Sequence, residues 1–190
     1  MNNSLIGVGL FEITLDDGRL PVQVDVNRNL HSHLDARDFS TAAMTGYYKA
    51  LWIRDADIIA TGNFSALSAR PSRRAEIITL LDTQSLAEFE MIERAARGHT
   101  EFIGTAATTS FGMPSVTVTA NLSRVLGISI DARWAASTQP SYIAYDIVEC
   151  ANRIRQQRPR FHESGSWADR DDEDLENELR EYKNYLTGNL

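Results

Sequence analysis

The chain has 190 residues, 43% hydrophobic and 24% charged, which is enough for one large domain or two small associated ones with an ordinary core. No run of eighteen apolar residues occurs, so no helical membrane span is expected, and a single cysteine, Cys150, excludes an internal disulfide and points to a reducing cytoplasm. The net charge of −7 is concentrated in residues 163–190, which hold nine acids and three bases; the rest is near neutral, without the basic excess usual in a nucleic-acid binder.

The opening residues have neither the basic start nor the long apolar stretch of a secretory leader and run straight into a strand pattern. Residues 10–26, LFEITLDDGRLPVQVDV, alternate as a β-hairpin. NRNLHSHLDARD follows as a third short strand, and then Phe39, Ala43, Tyr47 and Ala50 fall at helical spacing with Asp35 or Asp38 as N-cap. This helix is expected to weaken over Ile53–Thr61, and GNFSALSARPS reads as a connector. A long central helix is expected from Ser72 to Gly98 or Gly104, with the stripe Ile78, Leu81, Ser85, Phe89, Ile92 and Ala96. A small-residue loop, GTAATTSFGMPS, leads to a second hairpin, SVTVTANLSRVLGISID. Thr138 and Pro140 open a helix with the inner face Ile143, Ile147, Ala151 and Ile154, stopped by Pro159. FHESGSWADRDDED reads as a loose linker to an acidic helix over Asp171–Leu186.

The two hairpin-plus-helix segments can be superposed. Phe11, Ile13 and Leu15 answer Val116, Val118 and Ala120 at a shift of 105; Val22, Val24 and Asp25 answer Ile128, Ile130 and Asp131 at 106; the helix stripes answer at 104. The near-constant shift reads as an internal duplication, the other possibility being two unrelated units of one common arrangement.

LAEFEMIERAARG, the loop ending GMPS, VTVTANLSRVLGISID and IVECANRIRQQ together resemble the YbaB/EbfC family over residues 75–157, and residues 10–60 resemble it more faintly. The sequence departs from the family at Ser123 and Arg124, where a Gly-containing turn is usual, and at Gly112, where two glycines are. The resemblance implies an α+β fold in which two short-sheet-plus-helix units form an intramolecular pseudo-dimer, with a long central helix and an acidic C-terminal helix. The corresponding domains are residues 1–62, 63–160 and 161–190, and the C-terminal helix stands in for the leading helix that the first copy lacks. A three-stranded sheet with one covering helix leaves an apolar face and an unpaired edge, which is the physical reason such units pair.

No cofactor, metal or catalytic constellation is expected. His31 and His33 sit at strand spacing beside Asp35, but no third ligand is evident. Arg54-Asp55-Ala56-Asp57 has no phosphate-binding loop to accompany it, and reads as solvated charge at a helix end. Cys150 lacks a local histidine and reads as a buried, inert thiol. Tyr142 and Asp146 fit the Tyr-xxx-Asp pattern of type VII export substrates only by coincidence within a core helix.

Two functions remain. One is a non-catalytic protein-binding adaptor or chaperone-like module, with Trp167, Leu175, Leu179 and Tyr182 as its interface; the family resemblance adds an association with type VII secretion in actinobacteria. The other is the nucleoid-associated, DNA-binding role of the family, carried by Arg153, Arg155, Arg158 and Arg160 with Arg73 and Arg74. The acidic tail is expected to pair with Arg153–Arg160, which favours the protein partner. A homodimer is compatible with either.

Overall fold

In the computed structural model, residues 7–188 are described. The fold is mixed α+β. Its elements in chain order are β1 (Phe11–Leu15), β2 (Pro21–Val26), α1 (Leu30–His33), α2 (Phe39–Ala60), α3 (Arg73–Leu81), α4 (Leu86–Ala96), β3 (Phe102–Thr105), β4 (Val116–Ala120), β5 (Val125–Ile130), α5 (Ala132–Ala135), α6 (Pro140–Gln157) and α7 (Asp172–Thr187). The chain divides into two compact units, residues 1–69 with 102–157 and residues 70–101 with 158–190. Among the described residues no helix is long and apolar enough to cross a membrane.

The first unit holds both hairpins. β1 and β2 pair antiparallel from Phe11 opposite Val26 to Leu15 opposite Pro21, with an irregularity after Thr14. β4 and β5 pair from Val116 opposite Ile130 to Ala120 opposite Val125, with an irregularity after Thr119. Each turn is built on an Asx side chain. Asp16 Oδ1 accepts the Leu20 amide at 2.8 Å, and Asn121 Oδ1 accepts those of Ser123 and Arg124 at 2.8 and 3.0 Å. Arg19 takes the left-handed conformation (φ 58°) in the first turn.

Residues in matching ladder positions differ by 105 on β1 and β4 but by 104 on β2 and β5, so Val24 corresponds to Ile128 and Val26 to Ile130. The shift of 106 expected for the second strand is thus a slip of two residues. Alternation cannot detect it, because a slip of two keeps every side chain on its own face. The turn after β4 is one residue shorter than the turn after β1, and this fixes the register.

β3 joins β4, with Phe102 opposite Ala120 and Thr105 opposite Thr117, where the sequence reading had a helix end and a loop. NRNLHSHLDARD is likewise no strand: it forms the single turn α1 and a 3₁₀ turn over Ala36–Asp38, capped by Asp35. α2 does not weaken but continues unbroken to Ala60. It packs on β1 and β5, while α6 packs on β2, β3 and β4. Two glycines permit this. A Cβ on Gly46 would lie 2.5 Å from the Phe11 carbonyl oxygen, and one on Gly104 would overlap the main chain of Cys150. Phe11, Phe39, Tyr47, Val116, Val118, Ile143, Ile147 and Ile154 are all fully buried.

The second unit is built from α3, α4 and α7. The expected single long helix is interrupted over Asp82–Ser85, so α3 and α4 are separate helices. Ser85, expected on the apolar stripe, is instead the N-cap of α4: its Oγ accepts the Glu88 amide at 3.2 Å, while Glu88 Oε2 accepts the Gln84 amide at 2.9 Å. Ile77, Ile78, Leu80, Leu81, Phe89 and Ile92 form one core with Leu175 and Leu179 of α7, and Phe161, Trp167, Tyr182 and Leu186 pack against it. The Tyr182 hydroxyl donates to the Thr83 carbonyl and so satisfies a main-chain group at the break.

Candidate functional site

The four residues expected to form a protein interface serve the core of the second unit. Leu175 and Leu179 are buried, and Trp167 and Tyr182 lie half-buried against them. The linker Phe161–Asp174 is tied down through Phe161 and Trp167, and by its carbonyls at Ala168 and Arg170, which accept from Arg74.

Five of the six arginines expected to meet DNA are engaged within the chain. Arg73 makes a two-pronged contact with Glu176 at 2.8 Å through each nitrogen, and Arg74 pairs with Asp172 at 2.5 Å. In the first unit, Arg155 bonds Asp16 at 2.6 Å and the Leu20 and Pro21 carbonyls, and Arg153 bonds Glu149 and the Thr105 carbonyl. Arg158 has its own partner, and Arg160 lines a hollow with His162 and Thr79 in the second unit. The acidic helix therefore pairs with Arg73 and Arg74, a pairing the sequence reading had assigned to Arg153–Arg160.

His31 and His33 lie on a helical turn, not on a strand, and His31 Nε2 is 2.8 Å from the Ala135 carbonyl oxygen. No group of three or more His, Cys, Asp or Glu side chains is placed to hold a metal among the described residues. Cys150 is fully buried and donates to the Val116 carbonyl at 3.4 Å; burial pushes its thiol up to about 11, which keeps it protonated. Of the charges of residues 54–57, Arg54 donates to the Asp16 carbonyl at 3.1 Å and Asp55 pairs with Arg19 at 3.1 Å, both at the first turn, while Asp57 is exposed.

One face of α2 carries exposed apolar side chains. Its inner seam of Phe39, Ala42, Ala43, Gly46 and Tyr47 is buried. On the opposite side, Tyr48, Trp52 and Ile59 recur at i, i+4 and i+11, and are 51%, 71% and 54% exposed. Beside Tyr48 lies a hollow of about 300 Å³ lined by Val8, Gly9, Thr45, Gly46 and Lys49. Thr41 and Asp55 fall on the same side of the helix. The sequence signal for this face is Tyr48 and Trp52 at i, i+4, out of phase with the inner stripe.

Comparison with known proteins finds no matching family model, no matching curated protein and no matching solved structure.

Proposed function

We propose that this chain is a non-catalytic protein-binding module, an adaptor or chaperone-like scaffold of YbaB/EbfC type, whose docking face is the outer side of α2. The observation that carries this reading is the exposed stripe Tyr48, Trp52 and Ile59 opposite an already complete inner seam. Exposed aromatic side chains beside a hollow are the usual anchors of protein interfaces. The engagement of Arg73, Arg74, Arg153 and Arg155 by acceptors of the chain itself favours a protein partner over DNA.

Two contacts support the scaffold as an intramolecular pseudo-dimer. Gly46 of α2 abuts the Phe11 carbonyl, and Cys150 of α6, 104 residues on, donates to the Val116 carbonyl. Phe11 and Val116 hold the same place in their two ladders.

The test is affinity capture from the native organism with tagged full-length protein and its Trp52→Asp variant. A partner retained by the wild type and lost from the variant, at unchanged thermal stability, is the expected result. Identical captures from both would refute the docking face. A duplex-DNA anisotropy titration completes it: binding at low salt that is abolished by Arg153→Ala would overturn the protein-partner reading.

A further inference from the structure

An open groove of the first unit runs between β2 and α6, with a volume of about 720 Å³. One wall is the edge of β2 from Val22 to Val26, and the other is Ala144, Tyr145 and Val148. The Asn27 amide donates to the Leu10 carbonyl at 2.9 Å, which makes that pair hydrogen-bonded across the ladder. By antiparallel alternation, Val26 and Val24, opposite Phe11 and Ile13, turn their amides and carbonyls away from β1 and toward the groove.

The other hairpin shows what such an edge group requires. Ile130 holds the place in β5 that Val26 holds in β2, and its outward amide is satisfied by Ser40 Oγ of α2 at 2.9 Å. The residue of α6 104 positions beyond Ser40 is Ala144, which has no hydroxyl to offer. No described residue supplies Val26 with an outward partner. Arg28 also lines the groove, and no carboxylate of the described residues pairs with it. The other charge on the lining, Asp25, is held by Gln23 Nε2 at 2.7 Å.

We propose that this groove captures an extended peptide segment bearing a carboxylate. The segment adds as a third strand to the β1–β2 sheet, its main chain bonding Val24 and Val26. Its alternate aliphatic side chains lie against Ala144 and Val148, and its carboxylate pairs with Arg28. This rests on the protein-binding reading but uses a surface other than the α2 face, so the two are tested separately.

A random heptapeptide library with free C-termini, displayed on phage, is selected against the full chain, and recovered peptides are synthesised with a fluorophore for anisotropy titration. Three variants are decisive. Val26→Pro removes one outward amide without breaking the bonds to β1; Val148→Trp fills the groove from α6; Arg28→Glu reverses its charge. The expected result is enrichment of aliphatic peptides carrying a carboxylate, with affinity falling at least tenfold in each variant and unchanged in Trp52→Asp. Because a strand proline can unfold a hairpin, Val148→Trp and Arg28→Glu stand as independent arms, and each variant is first checked by circular dichroism. A library that yields no binder overturns the proposal. So do binders lost only in Trp52→Asp, and a concentration-dependent dimer that Val148→Trp abolishes, which would place a second copy in the groove.

Discussion

The Tyr47 hydroxyl accepts the Val125 amide at 2.9 Å and donates to the Arg19 carbonyl at 3.2 Å, so one fully buried side chain of α2 ties the turn of the first hairpin to the start of β5. Tyr47→Phe keeps the ring and removes both bonds, leaving a buried amide without a partner. The expected loss is about 1–3 kcal/mol of unfolding free energy. Urea titration checks it: the midpoint should fall while the slope holds. Tyr47→Ala should cost more, about 3–5 kcal/mol, because the ring volume is lost as well.

Gly104→Ala tests the close approach of α6 to β3. The new methyl would meet the Cys150 main chain, which cannot move aside as a side-chain tip can. Overpacking of this kind costs about 1–3 kcal/mol, and more where backbone must shift. Gly127→Ala is the control: nothing lies within 4 Å of its added Cβ and its φ is not positive, so it should be neutral or stabilise by up to about 1 kcal/mol. Comparable losses at both glycines would refute the packing argument.

Alternation placed both hairpins, since Val116, Val118 and Ala120 point inward while Thr117 and Thr119 do not. It could not set the register between the halves, because the Asp16 and Asn121 turns differ by one residue and a slip of two leaves the pattern unchanged. The break between α3 and α4 was legible in Ser85-Leu-Ala-Glu88, a capping box, but Ser85 also falls on the apolar stripe, and the helical period outweighed the cap. The assignment of Trp167 and Leu175 to an interface had a different origin. An apolar stripe on an acidic helix reads alike whether its cover is a partner or the same chain, and only long-range packing against Ile78 and Phe89 decides between them.

Cys150 should resist thiol reagents at pH 8 in the native protein and react at once in denaturant, because its thiol is buried and its ionisation is pushed up to about 11. The sign for stability follows. The fold favours the protonated thiol, so its contribution is complete below the ordinary value of 9.0 and is lost as pH rises toward 11. Cys150→Ser or Cys150→Ala should flatten that alkaline decline. Native-state labelling as fast as unfolded-state labelling would contradict the burial.

The hold of α7 on the second unit separates burial from charge. Leu175 is fully buried against the core of α3 and α4, so Leu175→Ala should cost about 2–5 kcal/mol. The Arg73–Glu176 pair is half exposed, and Arg73→Gln should cost no more than about 1 kcal/mol, with little further change in high salt. The hydrogen bond from Arg73 holds the Glu176 carboxyl below its ordinary 4.5, so this small contribution is present above that value and is lost as pH falls through the depressed one. Trp167 reports on this unit, since Trp52 and Trp134 belong to the other. In a Trp52→Phe, Trp134→Phe background, the denaturation midpoint of its fluorescence should move several-fold further for Leu175→Ala than for Arg73→Gln. Equal shifts would mean that charge, not the buried leucine seam, fastens the helix.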